Sequence, residues 1–381
     1  LFPLGSAQTL VFRALEYAAQ GADVHIACCS NRQVDWLSNC SVTIHVLAQT
    51  RFAKSSIGSH ALDFALSDRL IDRRNIRLVL RLNRLIQRLN PDRIFAWGQS
   101  AAWLTQLSGL GLSMRDRYKR EWNYFEPMIP YRFRNFERLS LIGAPKFSRA
   151  IVPHQAVGEA LRQNRFRAPI EIVPNSPQPR HSIPYLKNAP RDSGRNLLRS
   201  LLGLPETARI AGAVAPLVPR SRLKDLIWAT DLLTVVRDDF RLAIFGCGWQ
   251  YERLKRFASF TEAENHVHFL GQPDQAWEMF QGLDFFWHSH RFEPLPINLM
   301  NAMQLGIPVI SVVAPGTEEL VFHQQTGFGV SFGARDEFAR WTKFIIEQES
   351  RANQIIDQAR QSVGQRLAIQ SSKCVLDGKE M

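Results

Sequence analysis

Two doubly wound, parallel-sheet α/β domains (Rossmann-like, facing across a cleft) are the architecture this sequence predicts, on three observations. The chain has 381 residues, more than one core comfortably serves. Apolar runs of strand length alternate with amphipathic stretches of helix length along both halves. The proline-rich stretch VPNSPQPRHSIPYLKNAPRDSG, residues 173–194, lies between the halves and reads as a linker. The expected organisation is an N-terminal domain over 1–176, a linker over 177–194, a second domain over 195–345 and a helical tail over 346–381 that could cross back to the first domain.

In the first half, Leu10, Val11, Ala14, Leu15 and Ala18 recur at helical spacing, Gly21 suits the position past a helix end, and 24–28 is a β-prone run. The pattern returns at 76–97: Ile76, Leu80, Leu85 and Leu89 mark a helical stripe, Asn90-Pro91-Asp92 breaks it, and 94–97 follows as a strand. In the second half we expect strands at 210–214, 242–245, 266–270, 285–288 and 308–313. Helices are expected between them near 222–236, 249–259, 274–282 and 297–305. An open parallel sheet binds ligands beyond the carboxyl ends of its strands, where loops feed helix N-termini, so chemistry is sought there.

Composition narrows the function. At 45% hydrophobic and 22% charged residues the chain is of the globular class. It has no apolar run of about 18 residues, so no spanning helix is expected, and no leader peptide is read at Leu1–Leu4. Cys28, Cys29, Cys40, Cys247 and Cys374 are scattered without ligand spacing, which argues against structural zinc and a disulfide framework and for a reducing cytoplasm. The net charge of +12 sits wholly in one half: residues 1–190 hold 26 Lys/Arg against 13 Asp/Glu, residues 191–381 hold 21 against 22. That asymmetry suits an anionic partner, with a merely well-solvated basic surface as the bland alternative. The segment 115–139 adds Trp122, Tyr124, Phe125, Tyr131, Phe133 and Phe136 among seven basic residues. It reads either as a surface for an anionic membrane or as an acceptor-side loop and helix packed on the first domain. No nucleic-acid module is recognised, and no nucleic-acid partner is expected.

The stretch HSHRFEPLPINLMNAMQLGIPVIS, residues 288–311, crowds polar chemistry at the mouth of a buried helix. Pro296 fits a first-turn position, and the N–H groups of Ile297 and Asn298 would point at a ligand with the positive end of the helix dipole, a place for phosphate. Glu293 would repel phosphate but accept hydrogen bonds from hydroxyls. Hydroxyls and phosphate on one ligand describe a sugar nucleotide. His288, His290 and Glu293 could instead ligate a metal, but no further clustered ligand follows, and no metal or other cofactor is expected. FGCGWQ, residues 245–250, spaces two glycines as dinucleotide loops do but lacks the third; it reads as a tight turn lining a donor site.

Glu293-Pro294-Leu295-Pro296, then Asn301-Ala302-Met303, Gly306, Pro308 and Val309 resemble the Glu–seven residues–Glu motif of retaining GT-B glycosyltransferases, the large group-1 (glycogen-synthase-like) family. Segments 201–227, 242–258, 266–289 and 315–330 are similar to its successive blocks, GSAQ (5–8) to its first glycine loop and IEIVPNS (170–176) to its end-of-domain strand. The resemblance implies transfer of a sugar from a nucleotide donor, UDP- or GDP-linked, with retained configuration, to a polysaccharide, lipid-linked or lipopolysaccharide acceptor. In the front-face mechanism suggested for the family, the leaving phosphate takes the acceptor proton. The donor would lie mainly in the second domain and the acceptor in the first, on a cytoplasmic chain that meets the membrane peripherally through its basic half.

By the same resemblance Glu293 would hold sugar hydroxyls and Asn301 the ribose. The backbone of Leu295, Ile297 and Asn298 would face the diphosphate, Phe269 and Leu270 would border the base, and Gly5, Ser6 and Gly246 would line the donor. The chain departs from the pattern in places. Position 301 is Asn where the family has Glu, Pro216 and Ser221 stand where it has Arg and Lys, and Trp97 or Gln99 stands where it has a histidine. Arg220, Arg222 and Lys224 are the candidate replacements for the missing cations, Arg220 first. Trp97, Gln99 and Arg120 are the acceptor-side candidates. The strand expected before Gly5 is reduced to LFPL, as in a sequence truncated at its start. Two other readings remain: a catalytically silent two-domain binding or scaffold protein, and a sugar-nucleotide epimerase on the same fold.

Overall fold

The computed structural model describes residues 10, 14–15, 17–28, 42–47, 73–125, 146–163, 166–173, 191–273, 275–293 and 296–377, with backbone alone at 73–75, 99–100, 118 and 367–377. They fall in two compact units, one within 10–173 and one within 191–377.

In the first unit, β1 (His25–Cys28) pairs in parallel with β2 (Thr43–Val46). There follow α1 (Arg73–Leu89), β3 (Arg93–Trp97), α2 (Gln99–Leu110), α3 (Met114–Tyr118), β4 (Glu121–Phe125), β5 (Arg149–Val152), α4 (Gln155–Gln163) and β6 (Ile170–Ile172). Strands β3 to β6 form a parallel sheet in chain order. The segment 115–139 is corrected where it is described: β4 is an interior strand between β3 and β5, and Trp122, Tyr124 and Phe125 are buried. These three aromatics build core and are withdrawn from any membrane surface; residues 126–139 lie outside the described residues.

The second unit runs α5 (Arg191–Leu202), β7 (Arg209–Val214), α6 (Leu223–Thr234), β8 (Phe240–Phe245), α7 (Tyr251–Phe260), β9 (Val267–Gly271), α8 (Ala276–Gln281), β10 (Phe285–His288), α9 (Ile297–Leu305), β11 (Val309–Val312), β12 (Phe328–Val330), α10 (Arg335–Glu347) and α11 (Glu349–Asp377). Six parallel strands lie in the order β12-β11-β10-β7-β8-β9. The chain builds outward from β7 to β9, then returns to place β10 on the other side of β7. That reversal makes a topological switch point between β7 and β10, where open α/β sheets take their ligands.

Burial on both faces explains why these strands read as continuous apolar runs. Ala211, Leu242, Ile244, Phe285, Trp287 and Ile310 pack on one side with α6, α7 and α10. Their neighbours Ile210, Ala243, Phe245, Phe286 and Val309 pack on the other with α8 and α9, the period of two that a pleated strand imposes. Helix α11 serves both layers: Ala352 and Ile355 join the first core, Ala359 and Val363 the second. The described side chains of the tail therefore pack within the second unit.

The stretch read as a linker ends earlier than expected, because α5 begins at Arg191. Its Gly194 has a packing role: a Cβ there would stand 2.1 Å from the carbonyl oxygen of Glu278, and one at Gly282 would stand 2.2 Å from the Arg195 nitrogen. Two glycines thus let α5 and α8 touch backbone to backbone.

Candidate functional site

Two loops flank the switch point: 215–222, leaving β7, and 289–296, leaving β10. The buried Ser289 hydroxyl ties them by donating to the carbonyl of Ser221 at 2.6 Å. The second loop delivers the chain into α9. Pro296 occupies the N-cap, with φ −80 and ψ 62, rather than the expected first helical turn, and no side chain caps the helix. The first N–H to close a turn is that of Met300, to the Pro296 carbonyl at 3.1 Å. The N–H groups of Ile297, Asn298 and Leu299 lie ahead of it and carry the positive end of the helix dipole. The side-chain Oδ1 of buried Asn298 has no hydrogen-bond partner among the described residues. Asn301, one turn on and also buried, lies on the same face. Gly306 ends the helix in the left-handed conformation, φ 72, and Ile307 N–H then caps the Ala302 carbonyl at 2.9 Å.

Glu293 stands on the second loop beside two stacked histidines, whose ring centroids are 4.9 Å apart. His288 Nε2 lies 2.6 Å and His290 Nδ1 3.4 Å from the same oxygen, Oε2. Burial alone would push the Glu293 carboxyl up, but His290, His288 and Arg220 outweigh it and hold the group below its usual range. His290 is pushed down to about 4, first by burial and then by the charges of His288 and Arg220, with Glu293 pulling the other way. At neutral pH the site therefore holds a carboxylate beside a neutral His290 imidazole.

His288, His290 and Glu293 each offer one ligand atom within 4.8 Å of the others. Around a tetrahedral zinc with bonds of about 2.0–2.1 Å, neighbouring ligand atoms stand roughly 3.3 Å apart. The His290–Glu293 separation matches that spacing, but 2.6 Å between His288 and Glu293 is a charge-assisted hydrogen bond. The positive charge of Arg220 acts on both His290 and Glu293 and opposes a second cation.

The three candidate cations part company. Arg220, in a 3-10 turn (Pro219–Ser221), is the one whose charge reaches Glu293 and His290. Arg222 turns away at φ 54 and grips buried Asp225 with two bonds of 2.7 and 3.0 Å. Asp225 also takes Arg335 Nε at 3.1 Å, so the carboxylate that Arg222 grips ties α6 to α10. Lys224 rests its ammonium 4.6 Å over the Phe257 ring. Arg222 and Lys224 are thereby corrected: both are engaged in packing the helices of the second unit.

Gly246 sits at the carboxyl end of β8 with φ 142, its N–H bonded to the Gly271 carbonyl at 2.7 Å, and a Cβ there would stand 1.9 Å from the Ala215 carbonyl oxygen. Glycine is required because three strand ends converge. Phe269 and Leu270 are half-buried on β9, Phe269 edge-on to Tyr251 at 5.5 Å. In the first unit Trp97 ends β3 with its ring stacked on Phe125, centroids 3.8 Å apart, and Gln99 opens α2 with its side chain outside the description. Arg120 is corrected. It precedes β4, at the amino ends of the strands, where it is buried and bonded to the Asp116 carbonyl and, at 2.7 Å, to Asn90 Oδ1. Gly5, Ser6 and Leu295 lie outside the described residues. The sequence reading missed the partnership of His288 with Ser311. Its signal was a lone polar residue in each of two apolar strands, FFWH and VISV.

Residues 195–362 match the family model described as glycosyl transferases group 1. The match takes in most of the second unit and less than half of the chain. The matched stretch holds every element of the second unit's site, from the loop after β7 to α9. An uncharacterized glycosyltransferase of Haemophilus influenzae is 25% identical over 123 residues, 32% of this chain and 35% of that protein. The N-acetyl-alpha-D-glucosaminyl L-malate synthase of Bacillus anthracis is 24% identical over 166 residues, 44% of this chain and 43% of that one. The chain thus spans less than half the length of these relatives. The Anabaena protein HepE, solved with UDP and glucose, matches over 100% of this chain and 97% of its own with a TM-score of 0.75 at 20% identity. That likeness carries the fold, the GT-B architecture of parallel sheets with flanking helices.

Proposed function

We propose that the protein transfers a sugar from a UDP- or GDP-linked donor, with retention, to a glycan, lipid-linked or lipopolysaccharide acceptor. The observation that carries this is the juxtaposition, at the switch point of a domain that matches the group 1 glycosyl transferases, of a carboxylate held by His288 and an uncapped helix N-terminus. Glu293 takes the sugar hydroxyls and the first-turn amides of α9 take the diphosphate. Arg220, near enough to act on Glu293, adds the full charge that the dipole's roughly half unit does not supply. Asn301 bonds the ribose without adding a charge. The reaction builds positive charge at the sugar carbon and negative charge on the departing diphosphate, and preorganised amides with a guanidinium stabilise the latter. The HepE complex with UDP and glucose supports a uridine donor first. The basic excess of residues 1–190 suits an anionic acceptor, at a membrane face or in solution.

A nucleoside-diphosphate release assay over a panel of sugar nucleotides and glycan or lipid-linked acceptors tests this reading. Release that requires both one donor and one acceptor supports it. A chain that binds donors yet never releases product points to the silent scaffold, the reading favoured by Pro216 and Ser221 in place of cations.

A further inference from the structure

Ser311 and His288 form a polar chain with Glu293, and the donor reading gives the first two no role. His288 is the last residue of β10 and pairs in register with Ser311 of β11. Ser311 Oγ meets His288 Nδ1 at 3.1 Å, and His288 Nε2 meets Glu293 Oε2 at 2.6 Å. Both strand residues are buried, Ser311 wholly. A buried imidazole needs both nitrogens satisfied. These two partners do so when the Ser311 hydroxyl gives its one proton to Nδ1 rather than to the Val312 carbonyl, which also lies 3.1 Å away. The carboxylate can only accept, so the proton on that bond belongs to Nε2.

We propose that His288, hung from Ser311, is a positioning residue that fixes the rotamer of Glu293 and so presents its other oxygen, Oε1, to the sugar. The proposal rests on the donor reading above. His288 holds Oε2 by the 2.6 Å bond, His290 Nδ1 lies 3.4 Å from the same oxygen without a hydrogen bond, and Oε1 takes no hydrogen bond among the described residues. Glu293 stands on a loop, where a long side chain is otherwise free to turn, while His288 stands on an interior strand of the sheet. A rigid element thus orients a loop carboxylate, the supporting-shell arrangement that precise sites require. The other charged or titratable groups acting on this carboxylate are His290 and Arg220, and neither is anchored to β11 as His288 is.

The test compares the parent chain with His288→Leu, His288→Gln and Ser311→Ala by transfer kinetics, UDP affinity and proton NMR of histidine-labelled protein. His288→Leu should lose roughly ten- to a hundred-fold in kcat/KM while UDP, which has no donor sugar, binds as it does to the parent. His288→Gln, whose amide can still donate to Glu293, should recover much of the loss, and Ser311→Ala should fall between. The parent should show a far-downfield imidazole N–H proton that His288→Gln lacks and Ser311→Ala shifts. Equal loss in the Leu and Gln variants, joint loss of UDP affinity, or a parent without that proton overturns the proposal. A parent that binds and transfers no sugar nucleotide overturns the donor reading, and the NMR arm then decides the polar chain by itself.

Discussion

Replacing Glu293 with Gln tests the site where its chemistry is most concentrated. The amide keeps the shape, and its carbonyl can still accept from His288 at the 2.6 Å contact. Its N–H₂ group then takes the place of Oε1 and turns an acceptor for sugar hydroxyls into a donor. The loss of one charged hydrogen bond costs on the order of 1.5–3 kcal/mol, roughly ten- to a hundred-fold in rate where it acts at the transition state. The fold should tolerate the change, because burial opposes the Glu293 charge while the histidines and Arg220 favour it, leaving a net stability effect of about 1 kcal/mol. Initial rates of sugar transfer, with Tm and UDP affinity measured on the same preparations, separate these effects. Full retained activity would remove Glu293 from the site. Loss of UDP affinity in step with activity would place the carboxylate at the nucleotide instead of the sugar.

Arg220→Ala should weaken UDP binding, more at low salt than at high. Arg222→Ala should leave it unchanged and lower stability by about 1–3 kcal/mol through Asp225, with Arg222→Gly milder because φ 54 is relieved; equal affinity in Arg220→Ala and the parent refutes the clamp. Gly246→Ala should destabilise the second unit by about 3 kcal/mol or more, read as a fall in Tm, since its Cβ meets the Ala215 carbonyl at 1.9 Å; an unchanged Tm refutes the close approach. Stability should rise with pH from about 4 to about 6.5, because there the unfolded chain binds a proton at His290 that the folded one refuses. That difference is worth on the order of 3 kcal/mol, and Glu293, also lowered on folding, adds in the same direction at the acid end. Denaturant titrations of the parent and His290→Phe should show a flatter acid limb in the variant, and identical limbs refute it.

The central strands were legible because burial on both faces makes FRLAIF, FFWH and VISV unbroken apolar runs. Strand β4 was hidden: its EWNYF follows the basic run RDRYKR directly, and composition blurs a boundary that the fold draws at residue 121. Gly194 was mistaken for linker chemistry because nothing local announces Gly282, 88 positions on, as its partner. The candidate cations were found together but could not be ranked by direction. A 3-10 turn rotates each residue by about 120° from the last, so Arg220 and Arg222 face different ways. The motif around Glu293 drew attention to a neighbourhood that the structure places beside the β7–β10 switch point. The Ser311–His288 contact joins residues 23 apart through strand pairing, and register is decided only when the sheet forms.

The account stands on a donor site at the β7–β10 switch point, and ligand-induced stabilisation measures that most directly. The parent chain is heated with UDP, GDP, other nucleoside diphosphates and their sugar conjugates. Binding to the folded state alone adds about 2.7 kcal/mol at a ligand concentration a hundred times Kd, several degrees in Tm for a unit of this size. The account predicts that a few related ligands, UDP- or GDP-linked, raise Tm. It also predicts that the increment added by the sugar disappears in Glu293→Gln while the increment from the nucleoside diphosphate survives. No rise with any ligand would contradict the donor site and leave a two-domain binding or scaffold protein as the better reading.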